Sequence, residues 1–473
     1  RKLYNMLFNN AIYIFVLNPF CGISNKINYN IRKSLIYVTC FLLYSTCYIW
    51  YSIIGMGTPL TLLSRMLQSI ALIIILIFLS LDKPLKAVKW KNSIIIIWFA
   101  LGMLIFVLGF FTEQNTGYWM TGPVIALGLP CFYMIYGKKE KYELLFDAIC
   151  KAAIICSIVY FIVCIFGEYF NDNTWDATGR YNGLTIDANK IGELCLSSFC
   201  CIMYLLLIVK EKSIWNKLAI IALGIVIGQT YLTQSRTTIM AMIFVAGFYT
   251  IIVVKDSISK KTVKNIIDRF LPIIIAVFIA VICVSVINNV HEKHIEEARS
   301  SVSTNVAVDE VLNSDNTTLE TTQQSVAEAE THEYRDMIPE KGTDLNSFSS
   351  GRLFIWKTYS EGFNFIGNDA DAETPISPLI KQRTAHNSLV EITYRSGYIT
   401  GGVYLILVLI TGIYLLRVML RKNEKNTNGD YFFSIASIGY IIFTSLMSSF
   451  NPLTAIIFLL YAIAFPVLLE KRE

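Results

Sequence analysis

Apolar runs of roughly 17 to 22 residues, each long enough to cross a hydrocarbon core of about 30 Å as a helix, recur along almost the whole chain. Twelve can be placed, near 35 to 54, 63 to 81, 94 to 111, 118 to 136, 146 to 167, 189 to 209, 216 to 234, 236 to 254, 270 to 289, 397 to 416, 431 to 449 and 453 to 469. A shorter apolar stretch, 6 to 20, is interrupted by Asn9, Asn10, Asn18 and Pro19, and reads either as a further span or as an interfacial or re-entrant segment. With 54% hydrophobic residues, 16% charged and a mean hydropathy of +0.53, a soluble fold could not hide so much apolar surface. The expected fold class is all-α: a polytopic integral membrane protein of about 12 transmembrane helices, 13 if residues 6 to 20 also cross.

Orientation follows from lysine and arginine, because basic loops stay cytoplasmic. Alternate connections are basic: Lys26 to Lys33, Lys83 to Lys91, Lys138 to Lys141, Lys210 to Lys217, Lys255 to Arg269, Arg417 to Lys425, and Lys471-Arg472. The connections between them, including 168 to 188 and 290 to 385, then face outward. The net charge of +5 is a topological signal and points away from nucleic acid. Three regions result: an N-terminal bundle of about nine spans over 1 to 289, a large extracytoplasmic loop over 290 to 396, and three spans over 397 to 473. Within the loop, 290 to 350 is polar and reads as flexible, whereas from 351 aromatics at helical spacing (GRLFIWKTYSEGFNFIGND) suggest a structured lid lying on the membrane. The eleven cysteines fall almost entirely inside apolar spans, so neither a disulfide framework nor a cysteine zinc site is expected.

Arginines on the outer side run against the positive-inside bias. Arg180 sits in TGRYNG, Arg236 in TQSRTT, Arg352 in SSGRLFIW, and Arg65 in another outer turn. Any one of them could be a cation snorkelling to the headgroups. Arg236 resists that reading, because it lies between two spans joined by almost no loop, where an uncompensated charge is costly. Several converging guanidiniums suit a diphosphate, each offering a planar fork of donors at any relevant pH. His386 supplies a complementary group: a neutral imidazole can accept a proton from a hydroxyl nucleophile. Its bland alternative is a cap on the helix that follows. Glu391 and Arg395, four apart on that helix, could pair with each other.

Two further constellations are weaker. Asp369-Ala370-Asp371 has the form that holds a divalent cation and nucleotide sugar in many glycosyltransferases, but in so acidic a loop coincidence is the simpler reading. His291 and His294 stand one helical turn apart without an evident third ligand, which favours a solvated helix end over a metal site.

Together these residues resemble a known family. His386-Asn387, nine residues, Gly397, two residues and Thr400 are similar to the signature of the bacterial O-antigen ligase and polymerase superfamily: His, then Asn, Ser or Gln, nine residues, Gly, two residues, then Gly, Thr or Tyr. SRTT after a span, Gly351-Arg352 with Trp356, and Gly362 and Gly367 leading to AHN extend the likeness over about 175 to 449. One departure concerns an outer-loop pattern of arginine, ten residues and glycine: here the glycines fall one position off, at Gly192 after Arg180 and Gly362 after Arg352.

The resemblance implies a GT-C-like, inverting, metal-independent glycosyltransferase without a cofactor, in the bacterial inner membrane, its site on the periplasmic or extracellular side. It implies His386 as catalytic base, Arg236 and Arg352 on the diphosphate with Arg180 as a third contact, and Asn387, Glu391 and Trp356 as further substrate-binding residues. Donor and acceptor would be oligosaccharides linked to undecaprenyl diphosphate, and a chain-length regulator is a conceivable partner. The abundance of Ile, Asn and Lys hints at an AT-rich genome of the kind that often encodes capsule clusters, which favours a polymerase of repeat units over a ligase with a lipid-core or protein acceptor. A flippase is the alternative from another class, but carriers bury charge near the midplane and show inverted repeats, and neither is seen in this sequence. Arg236, Arg352 and His386 are expected to converge on one outer cavity.

Overall fold

The computed structural model describes residues 11–51, 62–81, 93–112, 116–119, 121–136, 139–167, 174–175, 179–185, 188–209, 213–260, 264–309, 352–369, 385, 387–420, 428–447 and 464. Every element among them is a helix: α1 (Ala11–Ser24), α2 (Tyr29–Tyr51), α3 (Leu62–Ser80), α4 (Ser93–Phe111), α5 (Thr116–Trp119), α6 (Thr121–Tyr136), α7 (Lys139–Gly167), α8 (Ala188–Ile208), α9 (Ile214–Thr233), α10 (Arg236–Lys260), α11 (Lys264–Asp309), α12 (Arg352–Glu361), α13 (Ser388–Leu420) and α14 (Asn428–Met447). One isolated antiparallel bridge joins Trp175 and Tyr181. The chain is therefore all-α over its described residues.

Six segments are long and apolar enough to cross a membrane: Lys141–Gly167, Ala188–Ile208, Ile214–Thr233, Arg236–Ile258, Ile266–Glu296 and Ser388–Arg417. Three shorter apolar helices, Ile70–Ser80, Ile95–Phe111 and Thr121–Tyr136, accompany them. Of the twelve expected spans, that at 453 to 469 lies outside the described residues except for Ala464. The ambiguous stretch at 6 to 20 is described only from Ala11, where it forms α1 with Pro19 inside the helix.

At the centre lies α8, buried along most of its length from Ile191 to Leu206. It packs against α7, α9 and α14, while α9 runs along α11, α2 along α7, and α4 along both α6 and α13. Exposed positions on the membrane-length helices are apolar, as at Ile243, Ile251, Phe278 and Ile282, and suit a lipid surround. Burying an apolar side chain against another helix therefore yields little beyond what lipid already offers, and close packing and hydrogen bonds between helices matter more. Hydroxyls provide the latter. Tyr44 lies 3.0 Å from Ser197 Oγ and 2.9 Å from Ser198 Oγ, and Tyr48 lies 3.1 Å from Ser198 Oγ and 3.3 Å from Ser157 Oγ, tying α2 to α8 and α7. All eleven cysteines are free and buried, in line with their apolar settings in the sequence.

Helix ends depart most from the hydropathy pattern. At 46 residues, α11 is about 69 Å long at 1.5 Å per residue, more than twice the hydrocarbon thickness. It continues as helix to Asp309, into the stretch expected to be flexible, so the boundary drawn at 289 marks where its apolar character ends and not where the helix does. Similarly, α13 begins at Ser388, nine residues before the apolar run, and carries a break at Gly397. Both extensions reach the face that carries the turn between α9 and α10.

Candidate functional site

The face of the bundle expected to be outward is organised by the connection between α9 and α10. Gln234 adopts a left-handed conformation (φ 51°) and its N–H donates to Tyr231 O at 3.2 Å, which ends α9. Ser235 immediately precedes α10, its carbonyl accepting the Ile239 N–H at 3.0 Å. Two spans thus meet across only Gln234 and Ser235. Arg236 follows at the first position of α10, exposed, with no hydrogen-bond partner among the described residues.

Two other arginines reach this turn from distant parts of the chain. Arg180 donates through Nε to Thr233 O at 2.9 Å and through Nη2 to Asn189 Oδ1 at 3.1 Å. Asn189 Oδ1 also accepts from Ser235 Oγ at 3.3 Å, and Tyr181 N–H donates to Leu232 O at 3.1 Å, so the loop carrying Arg180 is laid along the end of α9. Arg352, at the start of α12, donates through Nη1 to Thr237 Oγ1 at 3.4 Å. Arg180 and Arg352 therefore bond to Thr233 and Thr237, within about one helical turn of Arg236 along the chain. The N-terminus of α10 adds its own positive dipole end and carries no acidic residue in its first turn. Among the described residues no carboxylate pairs with Arg236 or Arg352; nearby Glu193 is engaged by Lys190 at 3.3 Å. Arg352 is half-buried, and burial lowers its pKa from the usual guanidinium value.

The same helix α12 joins this cluster to the His-Asn segment. Trp356 lies four residues after Arg352, on the same stripe of α12, and its Nε1–H donates to Ala385 O at 3.0 Å. His386 itself lies outside the described residues. Its two neighbours are firmly held. Ala385 is fully buried, and its N–H donates to Glu391 Oε2 at 2.6 Å. Asn387 caps α13, its Oδ1 accepting from Leu389 N at 2.9 Å and Val390 N at 3.1 Å. Glu391 Oε1 accepts from Arg395 Nε, the pairing that their spacing of four allows. Arg395 lies over the Tyr118 ring at 5.5 Å, and Tyr118 OH is 3.0 Å from Ser396 Oγ. Tyr359 stands edge-on to Tyr394 at 4.9 Å; burial, and then the Glu391 carboxylate, hold its phenol well above the usual range.

Of the residues expected to bind substrate, Arg180, Arg236 and Arg352 are thus brought to one turn. Asn387, Glu391 and Trp356 direct the polar groups just named at the protein framework around Ala385. The Asp369-Ala370-Asp371 motif is described only at Asp369. His291 stacks on Trp175 at 4.8 Å, alongside the loop that carries Arg180, and no group of three or more His, Cys, Asp or Glu among the described residues is disposed to hold a metal ion.

One feature of the site escaped sequence reasoning. Residues 362–369 clasp the break in α13. Gly397 has φ 77° and ψ 172°, so α13 is two helices meeting at this residue. A helix break frees backbone groups, and the loop receives them: Asn368 N–H and Asn368 Nδ2 both donate to Tyr394 O, at 3.0 and 2.9 Å, while Tyr398 N–H donates to Asn364 O at 3.0 Å. The backbones touch. A Cβ on Gly397 would lie 2.1 Å from Phe365 O, and one on Gly367 would lie 2.2 Å from Arg395 O. The signal was present in GFNFIGND, whose second glycine has φ 109° and whose two asparagines bond each other at 2.9 Å.

No protein-family model and no curated protein sequence matches the chain.

Proposed function

We propose that this chain is a bacterial inner-membrane glycosyltransferase of twelve spans and GT-C-like architecture. It would polymerise oligosaccharide repeat units carried on undecaprenyl diphosphate, at a site on the outer face. The observation that carries this reading is the gathering of Arg180, Arg236 and Arg352 at the α9–α10 turn, with α12 linking that turn to the residue before His386.

The chemistry follows from the groups. A diphosphate-linked sugar has a good leaving group already, and its departure needs stabilised negative charge more than a proton. Guanidiniums and a helix N-terminus supply this. The acceptor hydroxyl attacks the anomeric carbon from the side opposite the diphosphate, the C–O bond to the diphosphate breaks with inversion, and the hydroxyl proton passes to the His386 imidazole. Undecaprenyl diphosphate leaves, and the acceptor repeat unit carries the transferred glycan. The six membrane-length helices, with hydropathy alone for the remaining spans, agree with a donor that enters laterally from the bilayer.

The test is purified protein in detergent with undecaprenyl-diphosphate-linked repeat units, with and without EDTA, analysed on a gel that resolves glycan length. A ladder that is insensitive to EDTA and lost in His386→Ala is the expected result. Transfer of a single unit to a lipid-core or protein acceptor, with no ladder, would make the enzyme a ligase. Movement of the lipid-linked glycan across vesicles without any transfer would make it a carrier.

A further inference from the structure

We infer that Glu391 and Trp356 are positioning residues, which fix the peptide preceding His386 rather than touching the glycan, and that Arg395 fixes Glu391 in turn. The inference rests on the glycosyltransferase reading for its kinetic consequences but not for its structural one.

Ala385 has one N–H and one C=O, and both are taken by side chains from elsewhere: the N–H by Glu391 Oε2 at 2.6 Å and the C=O by Trp356 Nε1 at 3.0 Å. The two contacts come from different elements, α13 and α12, and address the same residue from both sides. Ala385 is 0% exposed, so no water could replace either bond without opening the packing. On the other flank Asn387 is 7% exposed and locked as the cap of α13. The residues on either side of His386 in the sequence are therefore both anchored.

Glu391 is itself held. Its second oxygen pairs with Arg395 Nε, and Arg395 rests on the Tyr118 ring, whose hydroxyl meets Ser396. Glu391 is 8% exposed, and both of its oxygens already accept from the protein. A carboxylate so occupied is poorly placed to accept a sugar hydroxyl. Its geometry instead demands two acceptor oxygens, one for each neighbour. Glutamine offers only one, so Glu391→Gln must lose either the Ala385 N–H or the Arg395 contact. Trp356→Phe keeps an aromatic ring on which a sugar could stack and removes only the donor to Ala385 O.

Positioning and substrate contact predict different kinetics. A displaced general base lowers kcat, since an error of about 1 Å in placement can cost on the order of 100-fold, while leaving ground-state binding alone. Loss of a sugar contact raises KM. For both Glu391→Gln and Trp356→Phe the expected outcome is a kcat lower by about tenfold or more, with KM for the lipid-linked donor within about twofold of wild type. A KM rise at unchanged kcat would overturn the assignment.

A second measurement does not depend on any activity. The chain has only four histidines, so carbethoxylation by diethyl pyrocarbonate can be followed at each by mass spectrometry. Both variants should change the modification rate of His386 at least threefold and leave His291 and His294 at their wild-type rates, which also reports that the fold is intact. An unchanged His386 rate in both variants sinks the positioning role, whatever the protein does. A changed rate in a protein that makes no glycan would sink the glycosyltransferase reading and leave the clamp standing.

Discussion

Gly397→Ala in the membrane helix that follows the His-Asn segment should be among the most damaging single-methyl additions in this protein. Gly397 sits at φ 77°, ψ 172°, a region essentially closed to residues with a Cβ, which costs about 1–3 kcal/mol. The added methyl would also lie 2.1 Å from Phe365 O and 2.6 Å from Phe365 C. Those are backbone atoms pinned by the hydrogen bonds from Tyr398 N and to Tyr394 O, so they cannot swing aside as a side-chain tip would. Overpacking of this kind adds about 1–3 kcal/mol, for a total loss of about 2–6 kcal/mol. Gly412→Ala on the same helix is the control. It is helical, with nothing within 4 Å of the new Cβ, and alanine there should stabilise by about 0.5–1 kcal/mol. The pair is compared by SDS-induced unfolding in mixed micelles, read by tryptophan fluorescence, and locally by hydrogen exchange at the Tyr398 and Asn368 amides. Opposite signs are expected, with faster exchange at both amides in Gly397→Ala only. If the two variants fell within about 0.5 kcal/mol of each other, the clasped break would not be a feature of the folded protein.

Three other substitutions follow from the same geometry. Arg352→Lys keeps the charge but loses the planar fork, and should raise KM for a diphosphate-linked donor about tenfold, equivalent to about 1.4 kcal/mol, in the gel assay run at varied donor. Asn387→Ala removes the cap of α13 and should cost about 1 kcal/mol by SDS unfolding, with Asn387→Asp largely retaining it. Asn368→Asp replaces an amide that donates at 2.9 Å to both Gly362 O and Tyr394 O by a carboxylate facing those oxygens, a loss of about 2–4 kcal/mol at pH 7. The folded state would raise that carboxyl above its unfolded value of about 3.9, so the protonated form restores part of the stability. The deficit should be smallest near pH 4 and grow as pH rises through the raised value.

What could be read from sequence was set by the bilayer. The run at 94 to 111 became Ser93–Phe111 and that at 216 to 234 became Ile214–Thr233, because within hydrocarbon a helix must satisfy its own backbone and apolar composition marks its extent. Outside the membrane that constraint lapses. Nothing in hydropathy told that α11 would continue to Asp309 or that α13 would start nine residues early, since those extensions depend on capping and local propensity. The arginines could be singled out one by one because charge beside a membrane is costly. That Arg180 and Arg352 would bond at Thr233 and Thr237, on either side of Arg236, depends on contacts 53 and 115 residues apart along the chain, which leave no periodic trace. Trp356 and Glu391 stood out as polar or aromatic groups near the histidine, but their target is a backbone amide. An alanine gives no sign in sequence that it is such a target.

The spacing between His386 and Gly397 acquires a physical reason from this arrangement. Asn387 must cap α13, and Glu391 must stand one turn in to reach back to Ala385 N. Arg395 must follow by four residues to hold Glu391, and Tyr394 must present its carbonyl to Asn368. Only then can the helix break, and it breaks where a glycine permits φ 77° and lets Phe365 lie against the backbone. Thr393 shows how sharp the bend is: a Cβ on Gly401 would lie 2.0 Å from its Oγ1, although eight residues of straight helix would separate them by about 12 Å. The short helix before the break is therefore a rigid bracket of fixed length, with the histidine segment at one end and the clasp of α12's following loop at the other. Lengthening the bracket by one residue would rotate Glu391 by about 100° relative to the clasp, and Glu391 could no longer meet Ala385 while Gly397 met Phe365.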